Sequence, residues 1–125
     1  MHAIRPAAVA GTFYPADAAT LRAQVQACLD EAQEQGAGRG AAPKLLIVPH
    51  AGYIYSGPVA GHAYARLAPW AGRVRRVVLA GPTHRVPVRG LAVPTVESFE
   101  TPLGRVAIDA EAREAVAGLP VTDGE

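Results

Sequence analysis

The chain has 125 residues, close to the usual size of one domain, and half of them are hydrophobic, which is enough for a packed core. Its formal net charge of +1 gives no electrostatic reason to expect a nucleic acid or an anionic membrane as a partner. One cysteine excludes an internal disulfide framework. Since no secretory signal pattern and no membrane-length apolar run occurs, we expect a cytoplasmic protein.

The first third of the sequence predicts an irregular lead-in followed by one long helix. Residues 1–16 are rich in turn formers, and Phe13 and Tyr14 among them either pin this loop to the core or line a site. Asp17 is a good helix N-cap, and the helix should run to about Gln35. Apolar residues at helical spacing predict its buried face: Leu21, Val25, Cys28, Leu29 and Ala32.

Two short apolar runs predict buried parallel strands. The runs are Lys44 to Pro49 and Val74 to Ala80, and a predicted helix separates them, so they should form a β-α-β unit. Histidines follow both runs, as His50 and His84. Ligands of open α/β sheets bind beyond the carboxyl ends of such strands, so we expect the two imidazoles to meet at one edge of the sheet.

The helix between the two runs should complete this edge. We expect it to begin at Ser56 or Gly57, with Pro58 in its first turn, where the missing N–H costs little. Its N-terminus would then face the same rim as His50 and favour an anion near Ser56 and Gly57. The candidate ligand-binding residues of this rim are Tyr53, Tyr55, Ser56 and Gly57.

The last part of the sequence predicts two short strands and a third helix. The strand candidates are residues 90–93 and 105–108, with a turn between them. Asp109 is a good N-cap for a helix that stops near Gly118. No structural pattern is recognised from Pro120 to Glu125.

Two histidines at one rim suit iron, copper or zinc, or general acid–base chemistry, but also plain hydrogen bonding. A facial iron site needs a further carboxylate or imidazole, and a catalytic zinc needs three protein ligands. Asp17 is already a helix cap, and Glu97 and Glu100 lie in a loop of undefined position. The residues alone therefore leave the metal and the hydrogen-bonding interpretations open.

Four motifs occur in a fixed order along the chain. They are Arg5-Pro6 with Val9-Ala10-Gly11-Thr12-Phe13-Tyr14-Pro15, then Pro49-His50-Ala51-Gly52-Tyr53-Ile54-Tyr55-Ser56-Gly57, then Gly81-Pro82-Thr83-His84, then Thr101-Pro102-Leu103-Gly104 with Asp109. Together they resemble the Memo family, whose prokaryotic members are called AmmeMemoRadiSam system protein B. The resemblance covers nearly the whole chain.

This resemblance implies an α/β fold like that of the class III extradiol dioxygenases, with a partly parallel central sheet flanked by helices. It implies a pocket lined by His50 and His84, which become the expected metal ligands and catalytic residues for iron or copper in an oxidoreductase. A radical-SAM protein of the same system is the expected partner, and the ligand is an unidentified small molecule or peptide. The alternative is a non-catalytic binding or signalling module that uses the same pocket, or an inactive fragment.

Members of the family that the chain resembles are about twice its length. Residues 1–125 therefore resemble a single domain or the N-terminal portion of a larger Memo-like domain. The missing portion should supply the remaining pocket ligands, and without it the sheet would expose an unpaired edge. We accordingly expect the isolated chain to bind divalent metal ions weakly.

Overall fold

The computed structural model describes residues 3–124, and Met1, His2 and Glu125 lie outside the described residues. The chain forms two compact units. One is Val9–Arg75, and the other joins the residues up to Ala8 to those from Arg76 onward. No helix among the described residues is both long enough and apolar enough to span a membrane.

The unit Val9–Arg75 is built on two packed helices. Helix α1 spans Ala18–Glu34, helix α2 spans Tyr53–Ala65, and a 3-10 turn follows at Ala68–Arg73. Among the described side chains of this unit, the buried ones all lie on α1 and α2: Leu21, Ala32, Ser56, Gly61 and Ala65. The core of this unit is therefore the seam between the two helices.

The prediction for α1 is confirmed at both ends. The Asp17 carboxylate caps the helix because Oδ2 accepts from the Thr20 backbone N–H at 2.8 Å and from its hydroxyl at 2.7 Å. The C-cap is Gln35, as predicted. Leu21 and Ala32 of the predicted stripe are buried, so the helical periodicity identified the inward face correctly.

The seam between α1 and α2 is narrow because small residues of α2 face Cys28. A Cβ atom on Gly61 would lie 2.6 Å from the Cys28 carbonyl oxygen, and one on Gly57 would lie 3.1 Å from its Sγ. The two backbones therefore approach more closely than larger side chains would permit. Cys28 lies at this contact, as its place on the stripe predicts.

The predicted start of α2 is wrong. The helix begins at Tyr53 with Gly52 as its N-cap, three residues before Ser56, so Pro58 lies inside the helix instead of in its first turn. Pro58 has no N–H to donate to the Ile54 carbonyl, which leaves a gap in the helical hydrogen-bond ladder. The prediction assumed that Pro58 lies in the first turn, and this assumption placed the start of α2 at Ser56 or Gly57 instead of Tyr53.

The two predicted parallel strands are also wrong. Residues 44–49 and 74–80 contain no strand in the structure, and the second segment is exposed along its whole length. A strand forms only when a neighbouring strand satisfies its backbone groups, and no described segment pairs with either run. The apolar, β-branched composition of the two runs is typical of buried strands. Composition carries no information, however, about whether a pairing partner is present.

The other unit contains two small sheets and one helix. The elements are β1 (Ile4–Arg5), β2 (Leu91–Pro94), β3 (Ser98–Thr101), β4 (Gly104–Ala107), α3 (Ala110–Ala115) and β5 (Val121–Gly124). One sheet has the strand order β1-β3-β4, with β1 parallel to β3 and β3 antiparallel to β4. In the other sheet, β2 pairs with β5 in parallel. The protein is thus a mixed α/β structure with a partly parallel three-stranded sheet.

The predictions for β2, β4 and α3 are confirmed, whereas β1, β3 and β5 were not predicted. β1 lies in the lead-in that was expected to be irregular, and β5 lies in the tail that carried no pattern. Asp109 caps α3 by accepting from the Ala112 N–H at 3.0 Å, and Arg76 forms an ion pair with the same carboxylate at 2.6 Å. Both interactions lower the pKa of Asp109, the backbone hydrogen bond most strongly.

Candidate functional site

A groove of about 320 Å³ lies beside the start of α2. Its walls come from residues 11–15, from Gln24 of α1 and from residues 52–55. All of these belong to the unit Val9–Arg75. Two of the motifs that carry the sequence resemblance, at residues 9–15 and 49–57, therefore meet in one cavity.

Backbone hydrogen bonds hold the lead-in loop against α2. The Tyr53 N–H, which opens α2, donates to the Phe13 carbonyl at 2.8 Å. The Gly11 N–H donates to the Tyr14 carbonyl at 2.7 Å, and Gly11 has a φ of 84°, a conformation that favours glycine. The loop is consequently fixed to the helix by its main chain, which leaves its side chains available to shape the groove.

The aromatic residues of the groove divide into a packed pair and two exposed rings. The Tyr14 and Tyr53 rings pack with centroids 5.6 Å apart at an angle of 49°. Phe13 is 47% exposed and Tyr55 is 75% exposed. Burial raises the pKa of Tyr53, so its phenol stays neutral and can donate a hydrogen bond. The two alternatives for residues 13 and 14 thus both apply: Tyr14 pins the loop, and Phe13 lines the open side.

Gln24 lines this groove and has a buried side-chain atom that the described residues leave without a hydrogen bond. Its Oε1 atom is buried and accepts no hydrogen bond from any described residue. Burying an amide oxygen without a donor costs roughly 1–3 kcal/mol. If the Gln24 amide turned so that this oxygen met the groove, a donor placed there would recover that cost.

Ser56 and Gly57 occupy different positions from those that the sequence predicted. Ser56 is only 6% exposed, and its Oγ accepts from the Ala51 N–H at 2.8 Å, so it folds the turn before α2 instead of capping the helix. Gly57 faces Cys28 across the helix seam. The Tyr53 N–H at the true start of α2 already donates to Phe13. The role of Ser56 and Gly57 in ligand binding stays a prediction.

The two predicted metal ligands lie outside regular elements. His50 is exposed and comes two residues before the N-cap of α2, and His84 is exposed in a segment without regular structure. They belong to different units of the chain. Within residues 3–124, no group of three or more His, Cys, Asp or Glu side chains could hold a metal ion. The donors that the structure describes therefore do not form a complete site for iron, copper or zinc.

Comparison with known proteins places these motifs in a family. Residues 5–122 match the Memo-like protein family. The chain belongs to this family. It is 41% identical over 121 residues to a MEMO1 family protein of Methanothermobacter thermautotrophicus, a match that covers 90% of this chain and 42% of that protein.

Other organisms carry similar relatives. A MEMO1 family protein of Aquifex aeolicus is 40% identical over 118 residues, covering 94% of this chain and 41% of the relative. The zebrafish Protein MEMO1 is 41% identical over 106 residues, covering 84% of this chain and 33% of that protein. The chain thus spans about two fifths, or less, of the length of the curated relatives it matches.

Gln24 is the residue that sequence reasoning missed. It follows Leu21 by three positions and precedes Cys28 by four, so it lies on the apolar stripe of α1. A polar side chain on an inward-facing stripe is the signal that identifies such a residue. The four motifs could not reveal it because Gln24 lies between the first and the second of them.

Proposed function

We propose that this chain carries the ligand-binding groove of a Memo-family protein. The ligand is a small molecule or peptide segment with an aromatic or other flat apolar face and a hydrogen-bond donor. The observation that carries this proposal is an aromatic groove lined by Gln24, whose buried Oε1 accepts no hydrogen bond from any described residue. Like the binding-module alternative of the sequence analysis it is non-catalytic, but the groove differs from the pocket expected there, because neither His50 nor His84 is among its lining residues.

The groove has the composition that such a ligand requires. Phe13 and Tyr55 offer exposed rings for stacking. A turn of the Gln24 amide would bring its buried, unsatisfied oxygen to the ligand as an acceptor. The Tyr14–Tyr53 pair forms a packed wall, which limits the rearrangement needed on binding. Aromatic stacking supplies affinity, and the buried acceptor supplies specificity for a donor.

Benzamidine is a suitable probe because it combines a flat ring with N–H donors. We expect its titration, followed by NMR, to shift the signals of Tyr14, Tyr53 and the Gln24 side-chain amide. Gln24→Leu removes the acceptor at similar volume and should weaken binding about tenfold, as expected for a hydrogen bond worth roughly 1.4 kcal/mol. Gln33→Leu, at an exposed position of the same helix, is the matched control.

Two results would contradict the proposal. One is the absence of shifts at the groove residues. The other is equal binding to the wild type and to Gln24→Leu, which would mean that the oxygen is satisfied by water and contributes nothing to recognition. Toluene, which has the ring without the donor, should bind the wild type less tightly than benzamidine does. Its affinity for Gln24→Leu should equal its affinity for the wild type.

A second proposal concerns metal-dependent chemistry in a complete family protein. There His50 and His84 would serve as two ligands of iron or copper, in an oxidoreductase with the extradiol dioxygenase fold and a radical-SAM partner of the AmmeMemoRadiSam system. Membership of the Memo-like family and the imidazoles within two of the four motifs support it. The donors among the described residues do not complete a metal site by themselves.

A further inference from the structure

His62 joins the two helices of the unit Val9–Arg75 through both nitrogens of its imidazole ring. The residue is half-buried and lies on α2, one turn after Pro58. Its Nδ1 atom lies 2.8 Å from the Pro58 carbonyl oxygen, and its Nε2 atom lies 2.8 Å from Oε1 of Gln35, the C-cap of α1. Both distances are those of hydrogen bonds, and both partners are oxygen atoms that only accept.

The orientation of the Gln35 side-chain amide is fixed from its other side. Its Nε2 atom donates to Glu31 Oε1 at 3.3 Å, one turn earlier on the same helix. Reversing the amide would place its oxygen against the carboxylate of Glu31, and neither oxygen has a proton to donate. The carboxylate therefore keeps Gln35 Oε1 pointed at His62.

A neutral imidazole cannot satisfy both contacts. It has one N–H group and one nitrogen lone pair, so in either tautomer a lone pair faces an oxygen atom at 2.8 Å. The imidazolium has two N–H groups and donates to both oxygens. The geometry around His62 therefore fits the charged ring, and loss of its proton must release either Pro58 or Gln35.

Two helix ends lie beside the ring and favour a cation there. His62 is in the last turn of α2, and Gln35 caps the C-terminal end of α1, so the negative ends of both helix dipoles meet at this contact. The charged residues at the joined ends of these elements are Glu31 and Glu34 on α1, Arg39 in the loop that follows it, and Arg66 on α2. Their formal charges cancel, and the Arg66 guanidinium already donates to the Ala41 carbonyl. The helix ends and the carboxylate behind Gln35 consequently decide the sign of charge that this contact favours.

We propose that the contact of His62 with Pro58 and Gln35 is a pH-sensitive clasp, which holds the end of α1 to α2 when the imidazole is protonated. Because the fold uses both N–H groups of the charged ring, the stabilisation is present at low pH and is lost as the pH rises. Histidine ordinarily titrates at about pH 6.5, so the clasp closes below this pH and opens above it. Opening frees the loop 36–43, which connects α1 to the motif at residues 49–57. The clasp lies at the opposite end of α2 from the candidate groove and does not depend on the function proposed for it.

NMR of the wild-type chain with nitrogen-15-labelled histidine tests the clasp directly. At pH 5.5 we expect to observe both ring N–H protons of His62, because two hydrogen bonds protect them from exchange with water. At pH 7.5 we expect to observe one of them. The signals of the Gln35 side-chain amide should change with the same midpoint as the ring signals, since the amide is the group that the ring releases or retains.

Backbone hydrogen exchange measures the consequence for the end of α1. The N–H groups of Gln35, Gly36 and Ala37 donate to carbonyls of its last turn. Their protection factors, which are corrected for the intrinsic pH dependence of exchange, should fall about tenfold between pH 5.5 and pH 7.5, as expected for a hydrogen bond worth roughly 1.4 kcal/mol. Gln35→Leu removes the acceptor and should abolish this fall. Gln33→Leu, at an exposed position of the same helix, is the matched control and should retain it.

Three outcomes would overturn the proposal. The first is a single ring N–H proton of His62 at pH 5.5, which would mean that one of the two contacts is not a hydrogen bond from the ring. The second is equal protection of the end of α1 at both pH values. The third is an equal fall in protection in the wild type and in Gln35→Leu, which would assign the pH dependence to other groups. The ring signals require no variant, so they decide the matter even if Gln35→Leu does not fold.

Discussion

The two units of this chain differ in how their secondary-structure elements are held together. In the unit Val9–Arg75, the capping bonds of α1 join neighbouring residues, and the main tertiary contact is one seam between two helices. In the other unit, Ile4 pairs with Ser98 and Leu91 pairs with Val121. The elements of the first unit are helices, which satisfy their own backbone groups before they pack, whereas each strand of the second unit depends on pairing with another strand. The two units should therefore fail in different ways.

The largest effect should follow from widening the helix seam. Gly61→Val places side-chain atoms where a Cβ would already lie 2.6 Å from the Cys28 carbonyl oxygen, so α1 and α2 must separate. We expect a loss of about 3 kcal/mol in the free energy of unfolding, measured by urea denaturation with circular dichroism. Gly72→Val is a control, since a Cβ there meets nothing within 4 Å. An unchanged midpoint for Gly61→Val would mean that the seam is looser than the structure shows.

A smaller effect should follow from Gly90→Ala in the other unit. Gly90 has a φ of 88°, and a Cβ there would overlap the Pro120 carbonyl oxygen. The strain can be relieved by releasing the four-residue pairing of β2 with β5, which limits the loss to about 2 kcal/mol. Hydrogen exchange should accelerate at the Leu91 N–H, which donates to the Pro120 carbonyl at 2.9 Å.

Gly118→Ala serves as the control for this change, because nothing lies within 4 Å of a Cβ at that position. If Gly90→Ala accelerated exchange in α1 and α2 as strongly as at Leu91, the two units would unfold as one, and the comparison between them would be wrong. Accelerated hydrogen exchange confined to β2 and β5 would instead support the comparison between the two units.

The same contrast explains how much of the structure could be predicted from the sequence. The ends of α1 and the start of α3 were correct because Asp17 and Asp109 cap their helices through bonds to residues three positions away. β5 was missed because its pairing with β2 depends on residues about 30 positions apart and on no recognisable turn. The runs at 44–49 and 74–80 have strand composition without a partner, and composition cannot report whether a partner is present.

Most of the residues that line the candidate site could be predicted from the sequence, but the hydrogen-bonding state of their polar groups could not. The resemblance identified residues 9–15 and 49–57, and these do meet in the groove beside α2. It could not reveal Gln24, whose importance depends on burial of a single atom, nor the use of the Ser56 hydroxyl to hold the Ala51 N–H. Which groups are already satisfied is decided by packing, and packing is not visible in a motif.

Both units should lose stability in acid through their caps. The Thr20 hydroxyl and N–H lower the pKa of Asp17, and the Ala112 N–H and Arg76 lower the pKa of Asp109, in each case below the ordinary value of 3.8. A lowered folded-state pKa means that the contribution is complete above about pH 4 and is lost as the pH falls through the folded-state pKa. Urea midpoints between pH 5 and pH 2 would measure this.

The Asp17→Ser and Asp109→Ser variants separate the two caps, since serine also caps helices but does not titrate in this range. Each variant should reduce the pH dependence of the stability of one unit. Hydrogen exchange in α1 measures this for Asp17→Ser, and hydrogen exchange in α3 measures it for Asp109→Ser. An acid dependence that neither variant changes would assign the loss to other carboxylates. Because both caps are exposed, we expect this effect to be smaller than that of either glycine substitution.

The smallest effect should be the binding of metal ions by the chain alone. The described residues provide no cluster of three donors, so an ion would keep most of its water ligands. Calorimetry with iron, copper and zinc should show a weak signal that His50→Ala reduces. His62→Ala is the matched control, because the His62 nitrogens already lie 2.8 Å from the Pro58 carbonyl and from Gln35 Oε1. Tight one-to-one binding would require a further ligand, supplied by another copy of the chain or by residues outside the described part.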